Sequence, residues 1–168
     1  GSGRLALVLL KWVWKKDTKS LWATYRSWLI MAPLTLGCIF AGRETVIVFF
    51  CVLAGFGFKE FARATGLYRD WWMTGMVYLG IAAVGVTSLV QEPQGDGPGR
   101  GWYGLFIVLP VYAVAALVLV PIVRNRVQGQ LQSLALAIVG FVYIGWMFGH
   151  LAFFANATNA YGYLLYVL

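Results

Sequence analysis

Long apolar stretches, each broken by a short charged or glycine-rich interval, organise this sequence from Trp28 to its last residue. A bilayer's hydrocarbon core is about 30 Å thick and takes about 20 apolar residues to cross as a helix, so these stretches predict membrane-spanning helices. The expected spans are about 21–41, 45–58, 71–90, 102–123 and 131–155, with an incomplete sixth at 161–168. Arg43 and Glu44 alone mark the break between the first two, which predicts a tight helical hairpin. Pro110 and Pro121 each remove a hydrogen bond from the fourth and are expected to kink it. The expected fold is all-α, a polytopic transmembrane bundle over 21–168.

Cation placement supports this parse and orients it, because short cytoplasmic loops are enriched in Lys and Arg. With a cytoplasmic N-terminus, the inner set is Arg4, Lys11, Lys15, Lys16, Lys19, Arg26, Lys59, Arg63, Arg69, Arg124 and Arg126, and the outer set is Arg43 and Arg100. Trp and Tyr favour the headgroup level, and Trp22, Trp28, Trp71, Trp72, Trp102 and Tyr103 stand where the spans begin.

Residues 4–20 are apolar from Leu5 to Trp14 but carry Lys11, Lys15 and Lys16, the pattern of a basic amphipathic helix lying at the inner membrane surface. A remnant of a further upstream span is the competing reading. Residues 1–3, Gly-Ser-Gly, read as an appended scar. The run from Tyr161 to Leu168 covers only about 12 Å as a helix, and helix-terminal carbonyls left in hydrocarbon would cost several kcal/mol. The natural protein is therefore expected to continue beyond Leu168.

Composition changes the picture mainly by exclusion. The chain is 61% hydrophobic and 11% charged with a mean hydropathy of +0.75, which points to bilayer rather than water as its solvent. A net charge of +7 could suggest nucleic acid, but the cations flank apolar runs, so orientation and anionic lipid headgroups account for them and no nucleic-acid partner is expected. Cys38 and Cys51 sit inside apolar runs without Cys or His at ligand spacing, so neither a disulfide framework nor a metal site is indicated.

Several motifs carry candidate chemistry. The glycines of Gln91 to Gly101 lack the Lys-Ser or Lys-Thr of a phosphate loop and read as a flexible external turn. His150, the only histidine, is an intramembrane ionisable group, read as a structural hydrogen bond to a neighbouring helix. Gly145 and Gly149 form a G-x-x-x-G pair that allows close helix packing, inside the monomer or at a contact in a homo-oligomer, the other reading being a chance pair in a glycine-rich span with no role. Asn156-Ala157-Thr158 matches a glycosylation acceptor and is read as a loop. The segment from Gly57 to Trp72 mixes charges with aromatics. Lys59, Arg63 and Arg69 could hold lipid phosphates, with Glu60 and Asp70 setting the geometry by ion pairs, or could be ordinary positive-inside charge.

That segment, Phe58-Lys59-Glu60-Phe61-Ala62-Arg63 at its centre and Val77-Tyr78-Leu79-Gly80-Ile81 after it, resembles the N-terminal half of CdsA-type phosphatidate cytidylyltransferases. The resemblance covers most of residues 20–168. It implies a multi-pass protein of the bacterial inner membrane, part of an enzyme that condenses CTP with phosphatidic acid to give CDP-diacylglycerol and pyrophosphate. Phosphatidic acid and membrane lipids would be its partners. Mg²⁺ is expected for the full-length family enzyme, whose nucleotide and metal residues lie in its C-terminal half, so CTP would be met only through that half. No Lys, Arg, Asp or Glu follows Arg126 here, and no catalytic or metal residue is assigned. The chain is thus expected to be the membrane scaffold of such an enzyme. The alternative is a non-catalytic membrane interaction module or one component of a split enzyme.

Overall fold

The computed structural model describes residues 18–90, 101–125 and 128–167. The expectations for residues 1–3, most of the amphipathic segment, most of the Gln91–Gly101 turn, and Arg126 lie outside them. The chain divides into two compact units, Gly1–Phe40 and Ala41–Leu168.

Helix α1 spans Thr18–Ala41. Its apolar part, Leu29–Ala41, is shorter than a full crossing, because Lys19 and Arg26 punctuate the residues before it. The first expected span is therefore a helix of sufficient length whose apolar portion is only its second half. Pro33 lies within it, and Thr35 Oγ1 donates to the Met31 carbonyl at 2.8 Å.

In the second unit, α2 (Arg43–Ala64), α3 (Trp71–Leu89), α4 (Tyr103–Val123) and α5 (Leu131–Phe154) are each long and apolar enough to cross a membrane. A last helix, α6, spans Ala160–Val167. The boundary that moves most is the end of α2, which continues six residues past the expected Phe58. Lys59 to Ala64 thus form helical turns, and the connection shrinks to Thr65–Asp70. Lys, Glu, Ala and Arg are good helix formers, so charge here marks the membrane exit and not the helix end.

Helix α3 packs against α2, α4 and α5. The core is aliphatic and aromatic: Phe58, Met73, Val77, Val84, Phe106, Leu117 and Phe141 are all buried. Outward faces are as apolar as the inside, with Val52 and Phe56 on α2, Leu79 and Val86 on α3, and Val111, Leu119 and Ile122 on α4 exposed. Such a surface suits lipid, where only internal backbone bonding distinguishes helix from chain.

Helix α5 is interrupted by a π-helical segment, Phe141–Trp146, between α-helical stretches. Gly80 of α3 receives the Phe141 ring so closely that an added Cβ would lie 2.6 Å from Phe141 Cε2. Gly145 and Gly149 lie on the same face: a Cβ at Gly145 would stand 3.0 Å from Ile81, and one at Gly149 would overlap Val84. Both glycines thus approach α3 within the monomer. Helix α4 continues on both sides of Pro110, whose missing N–H leaves the Phe106 carbonyl without its usual helical donor. The Trp146 indole Nε1–H fills that place from α5, at 3.4 Å.

Candidate interfacial headgroup site

The α2–α3 connection is built tightly. Gly66 takes a left-handed conformation at φ 77°, which reverses the chain into a 3₁₀ turn over Leu67–Arg69. Thr74 Oγ1 donates to the Leu67 carbonyl at 3.1 Å, tying the turn to α3. Asp70 caps α3, its Oδ1 accepting from the Met73 amide at 3.4 Å, a favourable place for negative charge at a helix N-terminus.

The same Asp70 oxygen takes Arg124 Nη1 at 3.0 Å from just beyond the end of α4. The side chains are only 24% and 14% exposed, and Arg124 also lies over the Trp72 ring, 5.8 Å from its centroid. This pair draws the two connections at one end of the bundle together. Between them is a cavity of about 500 Å³ lined by Gly66, Arg69, Asp70, Trp71, Trp72, Arg124, Gln130 and Ser133. Gln130 Oε1 is buried beside it and has no hydrogen-bond partner among the described residues.

Of the cations singled out from sequence, Arg69 lines this cavity, and Lys59 and Arg63 do not. Arg63 pairs loosely with Glu60 at 3.8 Å and stands over the Tyr68 ring at 5.7 Å, with its side chain 54% exposed. Asp70 does form an ion pair, but its partner is Arg124, 54 residues away. The sequence pattern marks Arg124 only as one of the inner cations and gives no signal for Gln130 or Ser133. The available clue is that Arg124 ends the fourth span on the side where the Lys59–Asp70 segment lies.

The opposite end carries a second polar assembly. Arg43 Nε donates to Asn156 Oδ1 at 2.6 Å, and its Nη2 donates to the carbonyls of Ser88 and Leu89 at 2.9 and 3.0 Å. Asn156 Nδ2 donates to Ser88 O at 3.1 Å, so the amide of the glycosylation-like triplet is buried and bonded. His150 differs from expectation: its Nδ1–H donates to the Trp146 carbonyl of its own helix at 3.0 Å. Its ring meets the neighbouring helix edge-on at Phe106, 4.9 Å between centroids.

Antiparallel apolar helices closed by polar clusters at both ends define a multi-pass α-helical membrane protein. The chain belongs to the cytidylyltransferase family, whose family model matches residues 22–168. No curated protein and no solved structure matches it.

Nucleotidyl transfer in this family implies a divalent metal. Among the described residues no three His, Cys, Asp or Glu side chains gather closely enough to hold one. Asp70 is engaged by Arg124 and by the start of α3, and Glu60 faces Arg63. These residues do not make a Mg²⁺ site.

Proposed function

We propose that this chain is the membrane scaffold of a CTP:phosphatidate cytidylyltransferase making CDP-diacylglycerol for phospholipid synthesis. The observation carrying the reading is the family match over residues 22–168, joined to helices fit to span a bilayer. In it, the end bearing Thr65–Asp70 and Arg124 faces the cytoplasm of a bacterial inner membrane, as the cation distribution favours. Lys59, Arg63 and Arg69 draw anionic headgroups, phosphatidic acid among them, to that face, each adding about 1 kcal/mol of salt-sensitive attraction.

Attack of phosphatidate on the α-phosphorus of CTP needs bound metal, a positioned triphosphate and compensation of the leaving pyrophosphate's charge. Groups for those tasks would come from outside residues 1–168, by continuation of the polypeptide or from a partner chain. The test is incorporation of labelled CTP into lipid by detergent-solubilised protein with phosphatidic acid and Mg²⁺. Residues 1–168 alone should give no product, and a longer polypeptide or a complex that supplies those groups should. Metal-dependent CDP-diacylglycerol formation by residues 1–168 alone would overturn the division of labour, and inactivity of such a completed protein would overturn the reaction.

A further inference from the structure

The interfacial cavity has a charge and hydrogen-bond inventory that specifies more than anionic lipid. Among the described residues that line it, Arg69 and Arg124 bring two positive charges and Asp70 one negative, around about 500 Å³. The single negative charge of a phosphodiester balances that described set, and a phosphomonoester dianion brings one charge more. Arg124 presents five N–H donors, and the bond to Asp70 engages Nη1, leaving donors for a phosphate. The buried Gln130 Oε1 is an acceptor with no donor among the described residues, a state that is costly unless a bound group relieves it. Trp71 and Trp72, 75% and 59% exposed, also line the cavity, and tryptophan favours the headgroup level of a bilayer.

We propose that this cavity holds the headgroup of a phosphodiester lipid that carries its own hydrogen-bond donor. The phosphate lies against Arg69 and Arg124, and a headgroup hydroxyl donates to Gln130 Oε1. Such a lipid is a resident ligand distinct from a phosphomonoester substrate. The assignment rests on the reading of this end as an anionic-headgroup surface and adds a chemical selectivity to it.

The experiment measures binding to the purified chain, by native mass spectrometry, of dioctanoyl phosphatidylglycerol and dioctanoyl phosphatidylmethanol. These have the same charge and differ in that only the first has headgroup hydroxyls. Phosphatidylglycerol should bind roughly fivefold more tightly, the worth of one hydrogen bond. Gln130→Leu should lower phosphatidylglycerol to the phosphatidylmethanol level without changing the latter, and Arg69→Gln should weaken both alike. Equal binding of the two lipids by the unaltered chain overturns the proposal and needs no variant to fold. Two further results would also overturn it: sn-glycerol 3-phosphate binding as tightly as phosphatidylglycerol, or a Gln130-dependent preference for dioctanoyl phosphatidic acid. If neither anionic lipid outcompetes dioctanoyl phosphatidylcholine, the broader headgroup reading fails instead.

Discussion

Arg43 and Asn156 lie 113 residues apart in sequence and meet at 2.6 Å, at the end of the bundle away from the headgroup cavity. The guanidinium closes the C-terminal end of α3 by donating to the carbonyls of Ser88 and Leu89, in the last turn, where helix carbonyls lack intrahelical partners. Asn156 holds the fork in place and adds its own bond to Ser88 O. One cation thus joins the first residue of α2, the last turn of α3 and the turn after α5.

Arg43→Ala should therefore cost about 2 kcal/mol of stability, the worth of charge-assisted hydrogen bonds, measured by chemical unfolding in detergent. Arg43→Lys should recover less than half, because an ammonium cannot reproduce a planar fork shared between an amide and two carbonyls. Equal stability of the Lys variant and the parent would show that charge alone matters here.

Gly149 tests the packing of α5 on α3. A methyl group there collides with the Val84 side chain, which is itself buried. Gly149→Ala should cost about 2 kcal/mol by overpacking, and Val84→Ala in the same chain should return most of it. Destabilisation that adds across the two sites would mean the helices shift apart instead of clashing.

Much of this architecture is legible in the sequence because charges inside apolar runs are costly, so Arg43, Asp70 and Arg124 had to mark span ends. Their partners were not legible. Nothing in the residues around Asp70 distinguishes Arg69, one position away, from Arg124, and only the antiparallel return of α4 brings the second within 3.0 Å. The helical character of Lys59–Ala64 was hidden for a related reason: hydropathy reports where lipid ends, and helix propensity carries the backbone further. The π segment leaves no periodic signature, since a single widened turn inside an apolar helix changes no hydrophobic count.

Orientation follows from the cation distribution and can be checked chemically. In a chain with Cys38 and Cys51 replaced, single cysteines at Thr65 and Gly97 should react oppositely with an impermeant thiol reagent added to intact cells. Gly97 should label and Thr65 should not. Preferential labelling of Thr65 would invert the proposed topology.

The bond from Trp146 to Phe106 allows the sharpest test of how the bundle accommodates a proline. In an α-helix the Phe106 carbonyl would accept from the amide four residues on, and that residue is Pro110. An unpaired carbonyl in hydrocarbon is costly, and the indole Nε1–H of Trp146 supplies the missing donor from α5 at 3.4 Å. Trp146 closes the π segment, and its ring also stacks on that of Phe106 at 6.1 Å. Trp146→Phe removes the donor and shrinks the ring together, so the single variant cannot separate hydrogen bonding from packing. Pro110→Ala restores the amide of residue 110 and gives Phe106 a donor from its own helix. The packing loss from Trp146→Phe is common to both backgrounds and cancels in a double-mutant cycle, which leaves the hydrogen bond. The expected coupling is about 1 kcal/mol, with Trp146→Phe less damaging when residue 110 is Ala. Additive effects in detergent unfolding would show that the indole contributes packing alone and that the Phe106 carbonyl is satisfied by other means.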